Sequence, residues 1–193
     1  MRGTDQIFQE ILRKDGVKYT ALTPNLKGFE NAMNVKVDEI AVFAAASETF
    51  SQKNVNCSIA ESLERFEDIF KKARQKKIPV RGYVSCIVEC PYEGIVKPEK
   101  VLEVTSRLLE MGCYEVSLGD TIGKGTPKTV DALLKVICEN LHAQQLAGHF
   151  HDTSDTAIKN VEIALKYGIT TFDTAIGGLG GCPYAPGAKG NLS

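Results

Sequence analysis

The stretch GCYEVSLGDTIGKGTPKTVDALLKVICENLHAQQLAGHFHDT, residues 112–153, decides the fold. Two short apolar runs, Tyr114–Leu118 and Gln145–His149, read as strands. The longer segment Thr126–Leu141 between them reads as a helix. Strand, helix and strand follow one another at an advance of about 30 residues, the size of one βα unit. Outward from this unit the same alternation continues. Lys18–Leu22, Glu39–Ala44, Ile78–Val84 and Thr170–Asp173 read as further strands. Thr4–Arg13, Phe29–Met33, Cys57–Lys76, Pro98–Met111 and Asp155–Tyr167 read as helices. In the Cys57–Lys76 segment, Ile59, Leu63, Phe66, Ile69 and Phe70 recur on one helical face. Ser58 with Glu61 makes a capping-box start, and Pro98 occupies the first turn that tolerates proline.

Strict β-then-α order predicts an α/β fold with a parallel sheet and helices outside it. Six strands suit either a doubly wound sheet or part of a (β/α)8 TIM barrel; a complete barrel takes about 250 residues. With 193 residues, a leading helix and a glycine-rich tail, the chain reads as one incomplete TIM-barrel domain over residues 1–193.

Polar and glycine residues gather where each strand ends: LTPN (22–25), AAASE (44–48), Ser85-Cys86, GDTIG (119–123), GHFHDT (148–153) and the tail GGLGGCPYAPGAKGNLS (177–193). Barrel active sites are built at that face. His149 and His151 are two apart on a strand, so their imidazoles face the same side. A shared cation, or two histidines with separate hydrogen bonds, accounts equally well for that pair. The third histidine, His142, lies late in a helix and reads as structural. Asp120 and Asp152 suit either substrate hydrogen bonding or capping of the following helix. GDTIGKGTPKT lacks the spacing of a phosphate-binding loop. In the tail, Cys182 is a reactive residue type among glycines that let a backbone approach a ligand closely.

Composition narrows the classes. A net charge of −1 without a basic block gives no support for nucleic-acid binding, and no apolar run is long enough for a membrane span. The first residues form no convincing secretory or transit peptide. Six scattered cysteines without a CxxC pair point to a reducing compartment, with Cys113 and Cys138 read as core.

With these segments assembled, the chain resembles the 3-hydroxy-3-methylglutaryl-CoA (HMG-CoA) lyase family. LTPNLKGFE, AAASETFSQKNVNCS, RGYVSC, CPYEG, GCYEVSLGDTIGKGTP, GHFHDT and GGLGGCPYAPGAKGNL occur in that family's order, from about Asp5 to Ser193. GDTIG and HxHD are shared with a wider superfamily of metal-dependent acyl lyases and Claisen-type synthases; GLGGCPYAPGAKGN is the lyase-specific stretch. The resemblance implies a (β/α)8 barrel cleaving HMG-CoA to acetyl-CoA and acetoacetate with Mg2+ or Mn2+, in leucine breakdown and ketone-body formation. It implies metal ligation by His149, His151 and Asn191, a catalytic Cys182 and an active-site Asp120. It further implies a homo-oligomer (dimer), with no nucleic-acid or membrane partner, in the mitochondrial matrix of a eukaryote or the bacterial cytoplasm. The family's first-strand Arg-Asp pair, its second-strand carboxylate and its C-terminal helices have no counterpart in this sequence. The expectation is therefore about six βα units without the first two strands. Two alternatives are a synthase acting on a 2-oxo acid and acetyl-CoA, and an inactive fragment that binds a complete relative.

Overall fold

The structure is a computed structural model and describes residues 3–182, 184, 185, 188 and 190–193. In chain order the elements are α1 (Thr4–Glu10), β1 (Thr20–Leu22), α2 (Leu26–Asn34), β2 (Glu39–Ala45), α3 (Glu48–Val55), α4 (Ile59–Lys76), β3 (Val80–Ser85), β4 (Glu89–Cys90), β5 (Gly94–Ile95), α5 (Pro98–Met111), β6 (Glu115–Asp120), α6 (Pro127–Asn140), β7 (Leu146–Phe150), α7 (Ala157–Lys166) and β8 (Thr171–Asp173). Six parallel strands form one sheet in the order β1-β2-β3-β6-β7-β8, and β4 and β5 form a small antiparallel pair. All six strands read from the sequence are present.

The sheet is strongly curled. Arg81 on β3 reaches Asp173 on β8 at 2.7 Å although two strands, β6 and β7, lie between them. Across a flat sheet those strands would stand about 14 Å apart, three times the interstrand spacing. Curling makes a half-barrel whose concave side carries Arg81, Glu115, Ser117, His149 and Asp173. The fold is an incomplete (β/α)8 barrel, with the helices on the convex side.

The core lies between sheet and helices. Ile40, Val42, Val84, Val116, Leu118 and Leu146 from the strands are fully buried with Ile69, Val101, Leu108, Val130, Leu133 and Ile137 from the helices. Each such side chain contributes roughly 1.5–3 kcal/mol relative to exposure. Of the inner strands, β2 (EIAVFAA) reads as a continuous apolar run, whereas β3 and β6 alternate, with Arg81, Tyr83, Glu115 and Ser117 turned to the concave side.

Local chemistry sets the helix ends. The Ser58 side chain accepts from the Glu61 amide while the Glu61 carboxylate accepts from the Ser58 amide, the capping box read from the sequence. Helix α4 ends where Lys77 turns left-handed. Pro98 opens α5, which closes at Gly112 with φ +117°, a backbone conformation that L side chains rarely adopt.

One helix and one short strand pair were not anticipated. Helix α3 buries only Phe50 and Ser51, so it has no apolar stripe to reveal it; Ser47 caps it by accepting from the Phe50 amide. The β4–β5 pair has two residues per strand, too few to show a period of two.

Candidate active site

The site assembles around β7. Register places His149 beside Gly119 of β6 on one side and Asp173 of β8 on the other. Glycine at 119 leaves the floor under the imidazole bare: a Cβ there would lie 3.8 Å from His149 Cδ2. His149 Nδ1 is 3.3 Å from Asp173 Oδ2, and its Nε2 is 3.3 Å from His151 Nε2. The Asp173 carboxylate is held on both oxygens. Ser117 Oγ donates to Oδ2 at 2.7 Å, Arg81 Nη1 donates to Oδ1 at 2.7 Å, and Arg81 Nε donates to Glu115 at 2.7 Å. Burial pushes the Asp173 carboxyl up, but the hydrogen bonds from His149 and Ser117 and the Arg81 charge outweigh it and hold the group below the usual carboxylate range.

His151 lies one residue beyond β7 and is 4 % exposed. An antiparallel bridge joins it to Asn191. The connection is continuous along the backbone: the Leu192 amide donates to Phe150 O at 3.0 Å, Asn191 to Gly178 O at 3.0 Å, and Ala175 to Leu192 O at 2.9 Å. The returning end of the glycine-rich tail is thereby stitched onto the strand that carries the histidines. Gly180 is required on this path. Its φ is +112°, and a Cβ would sit 2.6 Å from Asn191 Nδ2. Asn191 Nδ2 donates to Leu179 O at 3.0 Å, while its Oδ1 is buried with no hydrogen-bond partner among the described residues. Burial, then the neighbouring His149, pushes the His151 imidazole down to about 4, so it is uncharged at neutral pH.

These atoms fit a divalent cation. Ligand atoms about 2.1 Å from a six-coordinate ion are about 3 Å apart along an octahedral edge. The two Nε2 atoms already stand near that separation, and Asn191 Oδ1 is a buried acceptor without a donor. Among the described residues no group of three His, Cys, Asp or Glu side chains stands together for a metal.

The structure thus brings His149, His151 and Asn191 together. Cys182 lies in the same tail, half-buried, packed against the core and in electrostatic reach of the Cys86 thiol. Of the GLGGCPYAPGAKGN stretch, Pro183, Pro186, Gly187 and Lys189 lie outside the described residues. Asp120 is placed differently. It is 0 % exposed, and its two oxygens accept from the Lys124 and Gly125 amides at 3.2 and 2.7 Å. It braces its own loop beside Asn160 of α7, whose amide donates to Gly125 O. The cap of α6 is Thr126, not Asp120. Asp152 accepts from the Ala157 amide at 3.0 Å, at the start of α7, as the capping reading expects.

Burial pushes the Asp120 carboxyl up to about 6 from its ordinary 3.8, against the opposing pull of the Gly125 and Lys124 amides. The folded chain therefore binds a proton here at a pH where the unfolded chain does not. This contribution to stability is fully present only below the ordinary value of 3.8 and is lost as pH rises through 6. The stability of the wild type relative to Asp120→Asn is expected to grow by roughly 2 kcal/mol between pH 7 and pH 4. Urea denaturation of both proteins at the two pH values measures it, and a pH-independent difference refutes it.

Sequence reasoning missed Asp173, Arg81, Ser117 and Glu115. The available signal was inward alternation: each lies on a strand, two or four residues from another concave-side position or at the strand's end.

Fold and site together define an α/β-barrel protein with a histidine–amide constellation at the C-terminal ends of its strands. The chain belongs to the family described as HMGL-like, whose model matches residues 3–193. It is 53 % identical over 193 residues to the hydroxymethylglutaryl-CoA lyase of Pseudomonas mevalonii, covering all of this chain and 64 % of that protein. The HMG-CoA lyase structure from Brucella melitensis superimposes with a TM-score of 0.95 at 51 % identity, covering 100 % of this chain and 68 % of that one. An HMG-CoA lyase from Acinetobacter baumannii, solved in complex with coenzyme A and 3-methylmalate, has a TM-score of 0.93 at 34 % identity, over 99 % and 62 % of the two chains. The chain thus spans between about half and two thirds of the length of the relatives it matches. No helix among the described residues is long and apolar enough to cross a membrane.

Proposed function

We propose that this chain carries the chemistry of an HMG-CoA lyase, the cleavage of HMG-CoA to acetyl-CoA and acetoacetate with Mg2+ or Mn2+. The observation that supports it best is the pair of Nε2 atoms 3.3 Å apart with the Asn191 amide bridged onto the same strand end. His149 Nε2, His151 Nε2 and Asn191 Oδ1 would hold the cation. When bound, it supplies Lewis-acid polarisation of the substrate's hydroxyl and carbonyl oxygens. The chain's own residues do the remainder. The histidines and the amide orient the tertiary alcohol over the strand ends. The glycine-rich tail covers the site and limits water. As the hydroxyl loses its proton, the carbon–carbon bond breaks, its electron pair forms the acetyl-CoA enolate, and the alcohol carbon becomes the acetoacetate ketone. The Cys182 thiol protonates the enolate carbon and is restored by the proton released from the hydroxyl. Asp120 acts by bracing the GDTIG loop. A homodimer without nucleic-acid or membrane partners is part of the same reading.

The test is acetoacetate formation from HMG-CoA by the purified chain with Mg2+ or Mn2+, repeated with EDTA. Chelator-sensitive acetoacetate supports the lyase. Acyl-CoA consumption only with a 2-oxo acid assigns the chain to the synthases. A folded chain that binds Mn2+ but turns nothing over refutes catalysis by this chain alone.

A further inference from the structure

We propose that Asp173 is the positioning residue for His149: clamped on the adjacent strand, it holds the imidazole as the Nδ1–H tautomer and turns the Nε2 lone pair toward His151. Only the role of that lone pair toward a cation rests on the lyase reading. The tautomer follows from geometry.

A carboxylate is an acceptor only, so at 3.3 Å from Asp173 Oδ2 the Nδ1 atom of His149 carries the proton. Asp173 is not free to turn away. Ser117 Oγ fixes Oδ2, Arg81 Nη1 fixes Oδ1, and Arg81 is itself fixed by Glu115. The constraint therefore runs through side chains of four consecutive elements of the curled sheet, β3, β6, β7 and β8. In-register pairing of His149 with Asp173 sets it in the backbone.

The two histidines are not equivalent. His151 Nδ1 is buried without a partner among the described residues, so nothing comparable fixes that ring. With His149 Nε2 bare, the 3.3 Å contact between the Nε2 atoms is a hydrogen bond only if His151 carries its proton on Nε2. The structure thus assigns opposite tautomers to the pair: Nδ1–H for His149 and Nε2–H for His151. His149 is the preset arm of the pair, and His151 is the one that adjusts. A carboxylate behind a ligating imidazole raises its basicity and fixes its orientation, and losing one typically costs 10–100-fold in metal affinity.

Long-range 1H–15N correlation spectra of the chain labelled with 15N-histidine read the tautomers directly at pH 8, with three histidines assigned by comparison with His142→Gln. Mn2+ affinity is read in parallel by electron paramagnetic resonance. The expected wild-type result is Nδ1–H at His149. In Asp173→Ala the proton is expected to move predominantly to Nε2, with Mn2+ bound about 10–100-fold more weakly. Asp173→Asn, which keeps the shape but not the charge, is expected to fall between. An Nε2–H wild-type His149, or a tautomer unchanged in both variants, overturns the proposal. If neither variant folds, the wild-type spectrum alone decides. A wild-type chain showing Nδ1–H but binding no Mn2+ upholds the positioning role and refutes the cation reading.

Discussion

On the proposed lyase reading, Cys182→Ala is expected to slow acetoacetate formation by about 10²–10⁴-fold, the usual value of a positioned proton donor, with Mn2+ affinity unchanged. Gly180 adopts φ +112° with its backbone against the Asn191 amide, and Cys182, two residues on, is half-buried. Its thiol packs against the core near Cys86. Removing a single sulfur leaves the backbone, the bridge between His151 and Asn191, and the two imidazoles in place. Binding terms should survive and the proton-transfer term should not. The diagnostic pattern is a fall in kcat with KM little changed, and Cys182→Ser should rescue little, because a serine hydroxyl is a far weaker acid. Full activity in the alanine variant would remove the thiol from the chemistry and leave the tail a purely steric cover.

Arg81→Met is expected to lower unfolding free energy by roughly 3–5 kcal/mol, the cost of stranding a buried charge. Arg81 is 7 % exposed and holds two carboxylates at 2.7 Å each, Glu115 through Nε and Asp173 through Nη1, with the Tyr83 hydroxyl accepting as well. Its guanidinium is held above its ordinary range: burial works against the charge, but Tyr83, Asp173 and Glu115 together outweigh it. Methionine replaces the volume but leaves both acids inside the half-barrel without a cation. For a chain of this size the loss corresponds to a melting temperature lower by about 10 °C. Arg81→Lys should recover part of it, since one ammonium cannot span both carboxylates with a planar fork. Thermal melts of the three proteins decide; a wild-type-like Arg81→Met would mean that Glu115 and Asp173 protonate at little cost.

The fold was legible in the sequence because a βαβ chain writes it locally. Strand-length apolar runs, Ser58 with Glu61, and Pro98 each act within a few residues of themselves. Thus the six strands of the sheet and the start of α4 stand where they were read. Helix α3 and the β4–β5 pair were not legible, the first because it buries too little of its own surface and the second because it is too short. The site was legible in part. A period of two puts His149 and His151 on one side, and the tail's glycines, cysteine and asparagine carry the resemblance to the lyases. Asp120 shows the limit: an aspartate after a strand looks the same in sequence whether it faces the site or, as here, turns to the amides of its own loop.

The sequence by itself determined the element order, the parallel α/β class, the histidine pair and the family, since all of these depend on neighbours close along the chain. Only the tertiary structure decided which distant side chains meet. His149 meets Asp173 because β7 and β8 pair in that register, and Arg81 meets Asp173 because the sheet curls. The Asn191 backbone lies beside that of His151 because the tail bridges back onto the strand. Register and curvature are properties of the whole sheet, set by packing summed over all its strands, so residues 24 to 92 positions apart become partners without any local mark of it.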